Sequence, residues 1–486
     1  MTGESLKTKA VKSVMWSSIE RFSVQGIQFI LSIVIARLVT PSEYGLIAML
    51  SIFLAIAQTF IDSGFSNALI QKQGRTETDN STVFYFNIAV SIIVYGMLYG
   101  AAPFIADFYK EPLLTTVTRW IGLNIIISAF SIVQRAILII KLDFKTQAKA
   151  SLIAVILSGG VGIAFAYYGY GVWALVIQAI ASNFINTFLL WIFAKWTPAF
   201  RYSWQSFRTL FAFGSKLLLS GLLHTIYVNL YNLVIGRKFS AMDLGYYNRA
   251  STFAQFPSIN ITSILTRAIY PIQCQLQDDD ERLNATFIQY IRISSFVIFP
   301  LMTGLCVLSE PFIRLFLSDK WLESVPLLQI LCIAYVWFPI MAINNNILNV
   351  KGRSDYFLKA EIVKKMVAVG ILIATIPWGL KILCWGLVLY SFCDMAVIIH
   401  YAKKVISTSY IKQIKNIFPI LLLSVIMGTG MYLTISLVRQ PFLQLLLGGV
   451  VGILLYCVIA ITMKFEEFNL LYKYIRHKSD ANDKTL

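Results

Sequence analysis

Charge is scarce in this chain: Asp, Glu, Lys and Arg make up 13% of its 486 residues, about half the usual share for a soluble protein. Hydrophobic residues reach 57%, above the ~45–50% of ordinary globular chains. A body of this size has too few polar side chains to face water over its whole surface, which excludes a soluble enzyme, a disordered scaffold and a secreted disulfide framework. The six cysteines (Cys274, Cys306, Cys332, Cys384, Cys393, Cys457) lie in or beside apolar runs without CxxC or Cys/His spacing, so they read as small core residues. Catalytic signatures are missing as well: there is no GxSxG, no P-loop and no HExxH. The acids Asp278, Asp279, Asp280 and Glu281 form a solvated loop cluster. The expectation is a protein that is not an enzyme, with no catalytic residues, no cofactor, no metal and no direct drive from ATP.

What the chain has in abundance is apolar length. A helix needs ~20 predominantly apolar residues to cross a bilayer, and fourteen such windows are present. They fall at 14–38, 44–66, 82–106, 113–139, 146–168, 171–194, 210–235, 243–271, 286–312, 324–349, 356–377, 380–402, 413–437 and 441–463. The connections are short, and no loop is long enough for an extramembrane domain. Lys7, Lys9 and Lys12 precede an apolar stretch too long for a cleavable signal. With the N-terminus in the cytoplasm, inside segments hold 30 of the 41 Lys and Arg, outside segments hold 10, and Arg21 stays within the first span. That asymmetry puts both termini in the cytoplasm and explains most of the +17 net charge without nucleic acid.

The two halves echo each other. Residues 35–45 (Ile35-Ala36-Arg37 through Glu43-Tyr44-Gly45) align without gaps to residues 235–245 (Ile235-Gly236-Arg237 through Asp243-Leu244-Gly245). Ile, Arg and Gly are identical, while Thr40/Ser240 and Glu43/Asp243 match in kind. Pro103-Phe104-Ile105 returns as Pro311-Phe312-Ile313, Ile137-Leu138 with Lys141 returns as Ile347-Leu348 with Lys351, and Trp173-Ala174-Leu175-Val176 returns as Trp385-Gly386-Leu387-Val388. Six spans per repeat is an even number, so the halves share one orientation and are related by an axis along the membrane normal. The expected fold is an all-α polytopic bundle of fourteen spans: an N-lobe at 1–200, a C-lobe at 201–410, two added helices at 411–465 and a cytoplasmic tail at 466–486. A substrate site between such halves is expected near the midplane.

Ala36-Arg37-Leu38, Pro41-Ser42-Glu43-Tyr44-Gly45, Asp62-Ser63-Gly64 and Ala68-Leu69-Ile70-Gln71 resemble the opening of bacterial polysaccharide exporters. Gly236-Arg237-Lys238-Phe239-Ser240 followed by Leu244-Gly245-Tyr246-Tyr247-Asn248-Arg249-Ala250 resembles the branch with colanic-acid-type exporters, and Asp319-Lys320-Trp321 fits it too. The likeness is to the multidrug/oligosaccharidyl-lipid/polysaccharide exporter superfamily. It implies two six-helix lobes around a cavity and alternating access. It also implies a substrate made of an undecaprenyl-diphosphate-linked oligosaccharide, moved from the cytoplasmic to the periplasmic leaflet. Members with lipid-linked substrates use cavity arginines on the first and eighth helices, and by helix placement Arg21 and Arg249 correspond.

Charged and polar groups inside spans are costly unless they face a cavity or a partner. Ser17, Arg21, Gln25, Gln28 and Ser32 recur at helical spacing and form one polar face, a pattern of cavity lining. Two roles fit Arg21: a fixed guanidinium for a phosphate, or a partner of Glu20 that snorkels to the headgroups. The eighth span carries Thr252, Gln255 and Ser258 between Arg249 and Arg267, with Pro257 able to kink it. The same polar face reads equally as an interhelical hydrogen-bond seam, and Arg267 as a positive-inside anchor. His224 in the seventh span is either a proton-coupling group or a bundle hydrogen-bond partner. Asp62, with Glu20 as the other candidate, is either an ion-coupling acid or a partner for a base.

The expectation is a flippase of the inner membrane serving surface polysaccharide synthesis. Its partners would be the lipid-linked oligosaccharide, membrane lipids, a polymerase and glycosyltransferases. A cation-coupled multidrug exporter and a membrane polysaccharide polymerase or ligase are the competing readings. The exporter would need a cavity acid as its main feature, and the polymerase a long outer loop that the chain lacks.

Overall fold

The computed structural model describes residues 23–62 and 65–470, so Arg21, Glu20 and Ser17 lie outside the described residues. Those described are helical throughout, with no strand among them. The chain forms two compact units, Met1–Gly245 and Tyr246–Leu486.

The first unit holds α1 (Ser23–Leu38), α2 (Pro41–Asp62), α3 (Phe65–Gln71), α4 (Glu77–Tyr109), α5 (Leu113–Ile121), α6 (Leu123–Ala129), α7 (Ile132–Ile140), α8 (Phe144–Tyr167), α9 (Val172–Ala194) and α10 (Trp204–Lys238). α11 (Ala241–Gln275) begins at its end. The second unit continues with α12 (Asp280–Val307), α13 (Ser309–Phe316), α14 (Ser324–Tyr335), α15 (Phe338–Val350), α16 (Ser354–Thr375), α17 (Leu380–Ala402), α18 (Tyr410–Ser436) and α19 (Pro441–Thr462).

Among the described residues, ten segments are long and apolar enough to cross a membrane, and an eleventh if α5–α6 and α7, bent by 40°, count as one broken span. The chain is a multi-pass membrane protein. Fourteen windows were expected, and the remainder have a physical explanation. α1 adjoins residues outside those described. α11 and α16, at 35 and 22 residues, are long enough but too polar for a lipid-facing span. The short helices α3 and α13 were not anticipated.

The repeat has a structural content. Thr40 N–H donates to Glu43 Oε2 (2.7 Å) while Glu43 N–H donates to Thr40 Oγ1 (3.4 Å). Ser240 N–H and Asp243 N–H make the same reciprocal pair, at 3.2 and 3.0 Å. The residues matched in kind are therefore the capping boxes that open α2 and α11. The turns after α7 and α15 also coincide. Leu142 and Gly352 both sit at positive φ (56° and 65°), and the following N–H groups of Asp143 and Arg353 return to Leu138 O and Leu348 O.

The first unit ends at Gly245. The link between α9 and α10 is pinned to the start of α4: Trp196 Nε1 donates to Glu77 Oε2 (2.7 Å), Ala199 N–H to Ser81 Oγ (3.0 Å) and Ser203 N–H to Thr82 Oγ1 (3.0 Å). α10 then packs along α2, α3 and α4, with Phe65 stacked among Phe86, Phe207 and Phe211. In the second unit α18 and α19 dock on α12. Gly428 allows α18 to approach α12, since a Cβ there would meet Thr303 Cγ2 at 2.6 Å, and Gly452 lets α19 close on α18, where a Cβ would meet Met431 Sδ at 2.6 Å.

Candidate functional site

In the first unit the polar groups of the spans gather where α2 faces α10 and α6. Thr59 and Thr225 share a hydrogen bond of 3.0 Å, and Asn232 Nδ2 donates to Ser51 Oγ (3.3 Å). Gln58 binds both Asp62, which accepts its Nε2 (3.1 Å), and Ser128, which donates to its Oε1 (3.2 Å). Asp62 also feels the charge of Arg135 on α7. Gln25 is half-buried and Gln28 exposed on α1. Ser32 Oγ returns to its own helix at Phe29 O (2.8 Å). His224 is exposed on α10, apart from these bonds.

In the second unit α11 runs through Pro257 and Pro271 as one helix. Its polar face divides into two parts. Arg249 is buried, at 7% exposure, one turn from the exposed Thr252, whose hydroxyl donates to Asn248 O (2.7 Å). Gln255 instead belongs to a seam with α14: its Nε2 donates to Ser251 Oγ (2.8 Å) and Tyr335 Oη (2.7 Å), and Ser258 Oγ donates to Tyr335 O (2.7 Å). Thr266 accepts Tyr290 Oη at 2.8 Å, extending the seam to α12. Arg267 is exposed near the far end.

A second constellation escaped sequence reasoning. Lys364 on α16, with a side chain only 7% exposed, lies 2.5 Å from Glu361 Oε1 and 3.4 Å from Asp394 Oδ1 on α17. The signal was available: Glu361 and Lys364 stand three apart inside one apolar window, and Asp394 inside the next. Buried charges of this kind survive only when paired. Lys364 and Asp394 border a cavity of about 310 Å³ that also involves α11 and α15. Among the described residues no group of His, Cys, Asp and Glu side chains is placed to hold a metal ion.

Two long helices are too polar for lipid, one with the buried Arg249 and one with Lys364 held between two carboxyl groups, and such groups inside a membrane protein face a cavity or a partner. The fold matches that of the lipid II flippase MurJ in an inward closed conformation at a TM-score of 0.75, over 93% of this chain and 99% of that one, with 15% identity. It matches an inward-facing multidrug resistance MATE transporter at 0.60, over 81% and 98%, with 16% identity. The family profile described as polysaccharide biosynthesis protein covers residues 34–326, more than half of the chain, and the protein belongs to that family. Relatives include the teichuronic acid biosynthesis protein TuaB of Bacillus subtilis strain 168, 28% identical over 72% of this chain and 73% of its own length. Another is the lipopolysaccharide biosynthesis protein WzxC of Escherichia coli K12, 25% identical over 74% of each.

Proposed function

We propose that this protein carries an undecaprenyl-diphosphate-linked oligosaccharide from the cytoplasmic to the periplasmic leaflet of the inner membrane by alternating access. The observation that carries the reading is α11: a helix of spanning length with a buried Arg249, in a family of polysaccharide biosynthesis proteins and on the fold of a lipid II flippase. A diphosphate drawn toward the membrane interior loses its water and needs charge-assisted donors in exchange. Arg249 and Arg21 are the guanidinium groups assigned to it, and Gln25, Gln28 and Thr252 are the polar side chains assigned with them from the sequence. The relatives are named for different glycans, among them succinoglycan in the transport protein ExoT of Rhizobium meliloti, so the shared part of the substrate is best sought in its lipid-diphosphate end.

The protein acts as a transporter and not as a polymerase or ligase, since the catalytic signatures and a long outer loop are both missing from the sequence. Both termini face the cytoplasm, as the 30-to-10 division of basic residues favours. Cysteines at 170 and 439 should then react from outside, and at 351 and 412 only from inside. A multidrug role is less favoured, because the MATE likeness is weaker than the MurJ likeness.

The test is leaflet-resolved precursor in cells carrying Arg21→Ala and Arg249→Ala at matched protein levels. Precursor should accumulate on the cytoplasmic side, with partial recovery for Arg21→Lys, which restores charge without the bidentate fork. Normal flipping by the double variant would remove both arginines from the mechanism.

A further inference from the structure

The cavity between α11, α15, α16 and α17 has a chemistry that a diphosphate does not use. Its 310 Å³ is the liquid volume of about ten waters, a space suited to one sugar ring rather than to a lipid chain or a whole oligosaccharide. Two aromatic side chains, Phe338 and Phe357, line it together with Asn345, Asn349, Lys364 and Asp394. Asn345 Oδ1 is buried and makes no hydrogen bond within the protein, and Asp394 Oδ1, also buried, has Lys364 Nζ at the long distance of 3.4 Å. Two buried acceptors in one cavity call for donors from a ligand, and flanking aromatic side chains call for a ligand with apolar C–H surfaces as well. A pyranose ring has both: hydroxyl donors on its edge and C–H groups on its faces.

Charge decides which pyranose. The Lys364 ammonium is already shared by Glu361 and Asp394, so the cavity lining has no further cation for another carboxylate. A hexuronate would bring a third carboxyl group against the two, whereas a neutral ring brings hydroxyl donors alone. We infer that this cavity is a subsite for a single uncharged pyranose unit of the oligosaccharide, held by Asn345 and Asp394 at its hydroxyls and by Phe338 and Phe357 at its faces. The inference rests on the flippase reading above and adds the class of sugar that the second unit accepts.

The experiment is saturation-transfer NMR on the full-length protein in lipid nanodiscs. The probes are methyl glucoside, methyl galactoside, methyl N-acetylglucosaminide and methyl glucuronide. At least one neutral glycoside should take up signal, with the glucuronide about tenfold weaker or silent. Asn345→Leu should weaken that glycoside about tenfold, the equivalent of one hydrogen bond. Should Asn345→Leu fail to fold, Asn349→Ala at the exposed rim should reduce the signal in a monodisperse protein. Three results would overturn the subsite: silence from every neutral glycoside, equal signal from the glucuronide, or unchanged signal in both variants. A heat of sodium binding that Asp394→Asn abolishes, with no glycoside signal, would make the cavity an ion site instead. Leaflet-resolved flipping in the same strains separates the two proposals. Normal flipping by the parent protein without glycoside binding removes the subsite and leaves the flippase reading standing.

Discussion

Gly45 and Gly245 close the same contact from opposite sides. A Cβ on Gly45 would lie 1.6 Å from the Ala241 carbonyl oxygen, and one on Gly245 would lie 1.9 Å from the Pro41 carbonyl oxygen. The first turns of α2 and α11, each opened by its own capping box, thus meet backbone to backbone through equivalent residues of the repeat. Only the absence of a side chain permits that approach.

Gly45→Ala and Gly245→Ala should each destabilise the protein by about 1–3 kcal/mol, because a carbonyl cannot swing aside as a side-chain end can. The double variant should cost less than the sum, since both act on one contact. The heat-induced loss of monodisperse protein, followed by size exclusion, measures this. Parental stability in both single variants would mean that the helix ends do not touch.

Arg292 on α12 holds Glu467 beyond α19, where the carboxylate side chain is only 3% exposed. Arg292→Ala strands that carboxylate and should destabilise the docking of the segment after α19 by up to about 3 kcal/mol. Glu467→Gln should cost less, because an amide keeps a hydrogen bond without a buried charge. Limited proteolysis of the C-terminal segment gives the readout. Equal cleavage of parent and Arg292→Ala would show that the pair does not hold it.

Gln255 and Tyr335 give a test of whether a polar face lines a cavity or a seam. Tyr335→Phe removes the acceptor of Gln255 Nε2 and should cost about 1 kcal/mol while flipping continues at matched protein level. Gln255→Leu combined with Tyr335→Phe should cost less than the two singles added. Full stability with halted flipping in Gln255→Leu would place Gln255 on the substrate instead.

Leu142 occupies a left-handed turn at φ 56°, where the repeat partner is Gly352. Leu142→Gly should raise stability by about 0.5–1 kcal/mol, the balance between relieving a side chain at positive φ and freeing the unfolded chain. A fall in the melting midpoint would mean that Leu142 contributes packing that outweighs its strained backbone.

Much of this protein was legible before any coordinates. Apolar run length and the echo between residues 35–45 and 235–245 define a multi-pass helical protein with repeated halves. They do so because bilayer thickness and capping chemistry act on local sequence. The motif likeness also led to the right family. Side-chain partnership was not legible, because a polar face at helical spacing looks the same whether it meets a cavity or another helix. Gln255 turned to Tyr335, while Asp62 found Gln58 and the field of Arg135. Lys364 and Asp394, thirty residues apart on different helices, became a buried pair only when α16 and α17 packed together. Local sequence determined which segments are helices and how they begin; tertiary packing decided which buried charges meet, because a buried ion is stable only where another helix supplies its counter-charge.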